Sequence, residues 1–209
     1  MVPFSNINNG KIIFYKLNYD KSSSLVGSIR ENAGFIFGLS HYFYKKKNIN
    51  YAIITNRYGY LSYCIDNLKS PELYRKYIPQ LTEEEKEKNC FSDACVNEKD
   101  ENVVLIGPCF KYGYLFFWDF FKGDLLHLMK LDSGITDICL WDNKYLFASL
   151  NKSTSQFVLI DANKYSIEKR FAVNEKNPPK GNGIKILRHE IYGSYLLSSS
   201  LKGFLNLYC

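Results

Sequence analysis

Apolar and polar positions alternate in short runs along this chain, and one arrangement returns five times. A glycine opens it, an apolar or aromatic stretch follows, and an aspartate often closes it. The runs cover residues 10–15, 59–66, 113–119, 156–161 (which lacks the glycine) and 203–208, and they start 49, 54, 43 and 47 residues apart. Further strand-like pieces flank each anchor. Residues 51–55, 103–106, 145–150 and 195–200 precede four of them, and residues 25–29, 73–78, 125–131 and 167–173 follow. Residues 135–141 and 183–187 add an opening strand to two units. Period-two alternation rich in Tyr, Phe, Ile, Leu and Val is the pattern of a half-buried strand. Asp142-Asn143 and Tyr192-Gly193 stand where tight hairpin turns are expected.

Four short strands per repeat is the rhythm of a β-propeller blade. A single four-stranded blade cannot bury both faces, so neighbours must cover them, and blades come in series. The sequence therefore predicts an all-β fold of four-stranded antiparallel blades in one domain over residues 1–209; another antiparallel fold, such as a sandwich, is the alternative. Seventeen strands are expected: two, four, four, four and three. A closed four-bladed ring wants sixteen, so about four to five blades of a larger ring are expected, with the chain a piece of that ring, completed by a partner, or joined to copies of itself through its open ends.

One region carries a family resemblance. The run from Gly113 to Trp118-Asp119, followed by Gly123-Asp124-Leu125-Leu126, resembles the third and fourth strands of a WD repeat, with Trp118-Asp119 in the Trp-Asp position. Asp161 takes the aspartate position one unit later and Asp66 one unit earlier. Gly59, Gly113, Trp118, Asp119, Asp161 and Gly203 are then the structural residues of the repeat. The family's Gly-His pair is missing; Asp132-Ser133-Gly134 stands near its place, so the usual buried polar network is incomplete and apolar packing must substitute. The resemblance implies a seven-bladed ring and a non-catalytic scaffold that binds proteins through loops between second and third strands and between blades. On that reading Arg57, Tyr58, Lys111, Tyr112, Lys152, His189 and Lys202 are the candidate partner-binding residues, since Arg and aromatic side chains are typical interface anchors.

Charge adds a second reading. The net charge is +6, but residues 1–80 carry eleven basic against four acidic side chains, residues 81–102 three against eight, and residues 103–209 thirteen against nine. The basic excess suits an acidic partner, and an RNA- or membrane-associated module is the alternative function. Residues 81–102 read as an acidic insert between strands, in which Thr82 and Glu85 are placed to cap a short helix. Lys45-Lys46-Lys47 reads as a hairpin tip, and Gly181-Asn182-Gly183 as a loop between blades.

Few residues of the chain point to chemistry. His41, His127 and His189 fall in different units, and Cys90 and Cys95 have neither a second pair nor a nearby histidine, so no metal site is expected. Asp137 and Asp142 do not form an acid–base pair, because alternation and a turn separate them. No phosphate-cradling glycine loop is present. No cofactor and no enzymatic activity are expected. No apolar run reaches the roughly 18 residues that span a bilayer, and no signal peptide is visible. Cys64, Cys109 and Cys139 in strand-like runs read as buried thiols of a reducing compartment, cytoplasmic or nuclear.

Overall fold

Each segment of alternating residues pairs with the next one along the chain, and five antiparallel sheets result among the described residues. The structure is a computed structural model that describes residues 2–6, 10–19, 22–30, 36–88, 90–151, 155–172, 181–189, 193–200 and 205–208. The first sheet holds β1 (Val2–Asn6), β2 (Lys11–Leu17) and β3 (Ser23–Arg30). The second holds β4 (Ile36–Tyr44), β5 (Ile49–Asn56), β6 (Gly59–Cys64) and β7 (Glu72–Tyr77). The third holds β8 (Cys95–Lys99), β9 (Asn102–Pro108), β10 (Tyr114–Asp119) and β11 (Leu125–Lys130), and the fourth β12 (Ile135–Trp141), β13 (Tyr145–Leu150), β14 (Ser155–Asp161) and β15 (Ser166–Ala172). The fifth holds β16 (Gly181–His189), β17 (Gly193–Ser200) and β18 (Leu205–Tyr208). In every sheet the strands lie in chain order, so each is a simple meander. The all-β class expected from the alternation is the fold observed.

The chain divides into two compact units, Met1–Ala94 and Cys95–Cys209. In the first, alternate residues of two sheets meet. Ile12, Phe14 and Ile29 pack with Ile36, Ile54, Leu61 and Tyr63. The opposite face of the second sheet carries tyrosines: Tyr51 stacks on Tyr42 (6.1 Å) and meets Tyr74 edge-on (5.1 Å), and burial pushes the Tyr51 phenol up to about 12. Residues 91–94 lie along the same sheet. Phe91 meets Tyr60 edge-on at 5.3 Å, Leu39 N donates to Asp93 Oδ1 (3.1 Å), and Ser40 Oγ donates to the Ala94 carbonyl (2.6 Å).

In the second unit, Val104, Ile106, Leu115 and Phe117 from one sheet pack with Ile138, Leu146, Val158 and Ile160 from the next. Burial of this many apolar side chains supplies most of the driving force for pairing the sheets. Phe147 and Phe157 lead a second cluster that reaches Leu196 of β17. The opening strands lie close together here: β12 touches β8 and β9, and also β16.

Three expectations change. Residues 81–102 hold a strand, β8, besides the expected short helix α1 (Glu83–Lys88). The helix has the reciprocal cap that the sequence predicts, Thr82 N donating to Glu85 Oε2 (2.9 Å) and Glu85 N to Thr82 Oγ1 (3.3 Å). Gly181-Asn182-Gly183 is the start of β16, with a bulge between the two glycines, and not a loop. Val2–Asn6 adds a strand that the pattern did not reveal. The Asp142-Asn143 turn is as expected, both residues adopting left-handed φ values of 51° and 50°, which Asp and Asn tolerate best after glycine. Tyr192 lies outside the described residues.

Candidate functional site

The turns between second and third strands in the second and third sheets differ in length and bonding, but each is held by hydrogen bonds and a buried glycine. Between β5 and β6, the Asn56 side chain accepts hydrogen bonds from Tyr58 N (2.8 Å) and Gly59 N (3.2 Å). Gly59 has φ 151°, and a Cβ there would stand 2.3 Å from the Tyr77 carbonyl oxygen, so only glycine fits. The backbone is thus fixed while the side chains project. Tyr58 is 53% exposed, with the Arg57 guanidinium 5.5 Å from its ring centre.

Between β9 and β10, Cys109 N donates to the Tyr114 carbonyl and Leu131 N to that of Gly113, both at 2.8 Å. Gly113 has φ 71°, and a Cβ would lie 2.4 Å from the Ser133 carbonyl oxygen. Lys111 lies 5.8 Å over the Tyr112 ring. From this turn an aromatic row runs down one face of β10. Tyr112 and Tyr114 are 6.3 Å apart, Tyr114 and Phe116 6.0 Å, and Phe116 stacks on Trp118 at 5.1 Å. Lys130, paired across the sheet with Tyr114, sits 5.0 Å over its ring. Phe116 and Trp118 are buried, so the row joins a fixed interior to a reachable rim.

The structure therefore joins Arg57 to Tyr58 and Lys111 to Tyr112, each pair in its own unit. His189 ends β16 opposite Gly193; its side chain, like Lys152, Lys202 and Gly203, lies outside the described residues.

The aspartate positions separate on inspection of the register. Asp119 pairs with Val104 and Asp161 with Tyr145, and in both cases the next residue donates back to the residue before that partner: Phe120 N to Val103 O (2.8 Å) and Ala162 N to Lys144 O (2.7 Å). In the second sheet Ile65 N donates to Asn50 O (2.9 Å), and the residue opposite Tyr51 is Cys64. Cys64, and not Asp66, is the counterpart of Asp119 and Asp161. Both aspartates close their hairpins with Oδ1. Asp119 accepts from Phe121 N (2.9 Å) and Lys122 N (2.8 Å), and Asp161 from Asn163 N (2.9 Å) and Lys164 N (3.1 Å).

Asp66 instead turns across the sheet. Its Oδ1 accepts from Asn50 N (2.9 Å) and Asn50 Nδ2 (3.0 Å), and these bonds hold its carboxyl below the usual value. Because Asn50 Nδ2 points at a carboxylate, Asn50 Oδ1 is the atom 3.1 Å from His41 Nε2, which must donate. This His41–Asn50–Asp66 chain lines a cavity of about 530 Å³ between the first two sheets, floored by Phe14, Leu39 and Ala52. Spacing alone did not reveal the group. Strand pairing gathers it: the β4–β5 register sets Phe43 against Asn50 and His41 against Ala52, and the β5–β6 register sets Cys64 against Tyr51 and so brings Asp66 to Asn50. Among the described residues, no group of three His, Cys, Asp or Glu side chains gathers to hold a metal ion, and no helix is long and apolar enough to cross a membrane.

No family model matches the chain, and no curated protein matches it. Among solved structures, it is similar to a protein of unknown function from Bacteroides caccae, whose crystal structure extends to 1.35 Å; the two share a TM-score of 0.60 and 14% identity, over 93% of this chain and 70% of the other. A likeness at that identity concerns the fold alone.

Proposed function

We propose that this chain is a WD-repeat-like propeller module that binds other proteins through the turns between its second and third strands, and that it acts as a scaffold and not as an enzyme. The observation that carries the reading is the pinned turn with projecting side chains, made twice: Arg57-Tyr58 and Lys111-Tyr112 stand on backbones already fixed by hydrogen bonds and buried glycines. A rigid platform lowers the ordering cost of association, and Arg and Tyr are the side chains that most often dominate interfaces. The propeller form is supported by three meander sheets packed in sequence in the second unit, with their opening strands adjacent.

Lys111 and Lys130 over Tyr112 and Tyr114 favour a second reading, in which stacked bases of a single-stranded RNA lie on the rim. One experiment separates the two. A photo-reactive phenylalanine is placed at position 58 or 112, with position 143 in the opposite turn as control. Protein adducts at 58 and 112 but not 143, reduced at least tenfold in Arg57→Ala and Lys111→Ala backgrounds, are the expected result. Adducts to RNA alone would move the function to the second reading, and labelling no greater than at position 143 would end the first.

A further inference from the structure

The cavity between the first two sheets lies within the first unit, and its lining divides by depth. Phe14 and Ala52 are buried at its floor, with Leu39, Ile65 and Leu68 half-buried around them. His41 and Asp66 are exposed at its mouth. Among the described lining residues Asp66 is the one carboxylate, and no lysine or arginine stands with it. The volume, about 530 Å³, falls in the range of roughly 300–1,000 Å³ usual for small-ligand sites, which combine apolar walls with a few placed polar groups.

Hydrogen bonds within the chain decide what those polar groups can still do. Ser40 Oγ gives its hydrogen to the Ala94 carbonyl (2.6 Å), so only lone pairs remain. His41 Nε2 gives its hydrogen to Asn50 Oδ1 (3.1 Å), and Nδ1 of the neutral ring is left as an acceptor. Asn50 N and Nδ2 both donate to Asp66 Oδ1, which fixes the carboxylate and leaves Oδ2 with one weak donor, Cys64 Sγ at 3.8 Å. Asp119 and Asp161 use their carboxylates to close hairpins, whereas Asp66 is turned to the cavity wall. The capacity left on Ser40, His41 and Asp66 is thus all of one kind. It suits a positively charged group with several N–H donors, and an alkylammonium has three donors and no acceptor. Depth sets the orientation, with charge at the mouth and an apolar body on Phe14 and Ala52. A lysine side chain has the reverse order, because its charge is at the tip and would have to enter first.

We propose that this cavity binds a primary ammonium carried on an apolar body, with Asp66 as its ion partner at the mouth and Phe14 and Ala52 beneath the body. Two sources have that chemistry, a free arylalkylamine and the N-terminal residue of a peptide. The test is calorimetric titration of the full chain with phenethylamine, phenylalanyl-glycinamide, phenethyl alcohol and phenylacetate. Saturable binding of an ammonium compound, at least tenfold tighter than the alcohol or the acid, is expected. Asp66→Asn, an exposed and isosteric change, weakens it at least tenfold, while Asp132→Asn, at an exposed carboxylate of the second unit, leaves it unchanged. A dipeptide that binds as well as phenethylamine assigns the site to a peptide N-terminus; phenethylamine alone assigns it to a free amine. The proposal fails if neither ammonium compound binds, if the alcohol or the acid matches them, or if Asp66→Asn binds like the parent chain. Equal weakening by Asp132→Asn overturns it too, since the attraction would then be to net charge and not to this cavity.

Discussion

The third strands β10 and β14 end on Asp119 and Asp161, whereas β6 ends on Cys64, and the turns that follow differ accordingly. A carboxylate at this position accepts two backbone N–H groups and lets the chain reverse within a few residues. A thiol is a weak acceptor and cannot do so. In the first unit the work passes to Asn67, whose side chain accepts from Lys69 N (3.2 Å), and the connection from β6 to β7 occupies residues 65–71. That longer connection supplies Ile65, Asp66 and Leu68 to the wall of the cavity. A Cβ on Gly27 would fall 1.7 Å from the Leu68 carbonyl oxygen, so the connection lies directly on β3. An aspartate at the strand end thus goes with a short closed hairpin, and a cysteine there with a longer connection that forms a cavity wall.

Substitutions at the three carboxylates test this contrast. Asp161 is buried and caps its turn with two bonds, so Asp161→Ala is expected to cost about 2–3 kcal/mol in denaturant unfolding. Asp119 makes the same bonds with a quarter of its side chain exposed, and Asp119→Ala is expected to cost less, about 1–2 kcal/mol. Equal losses at the two positions would show that burial of the cap is irrelevant.

Asp66→Ala is expected to cost under about 1 kcal/mol, because its bonds to Asn50 are exposed to solvent. The sign of its pH dependence follows from a carboxyl held below its usual value. The contribution is present above about pH 4 and is lost as pH falls through the lowered folded value. The gap between parent and Asp66→Ala is therefore constant from pH 7 to about 5 and closes on further acidification; a gap that widens in acid would contradict the assigned bonds. Tyr58→Ala has the smallest effect, within about 0.5 kcal/mol on thermal unfolding, since the ring is more than half exposed. A larger loss would mean that the ring serves the fold and not a partner.

The alternation made most strands legible, because a half-buried strand writes its burial into every second residue. It failed where burial is nearly absent. In β8, Cys95-Val96-Asn97-Glu98-Lys99, the fully buried position is an asparagine, so an edge strand read as part of a charged insert. At β16 two glycines resembled a loop because a bulge, rather than a turn, uses them. Turn chemistry was legible at Asp142-Asn143 and at Thr82, where a few adjacent residues determine the outcome. Asp66 was misassigned because spacing counts residues, and the register that places Cys64 opposite Tyr51 is set by pairing between strands. The His41–Asn50–Asp66 chain had no local signal, since it is made by residues that meet only after the strands pair.

Trp118 and Trp141, the two tryptophans of the chain, both belong to the second unit. Trp118 is buried against Phe116, while the first unit absorbs and emits through tyrosine alone. Excitation near 295 nm therefore reports on one half of the molecule and circular dichroism on both. A melting curve followed by the two signals reads out, in a single sample, whether the halves come apart together or in turn.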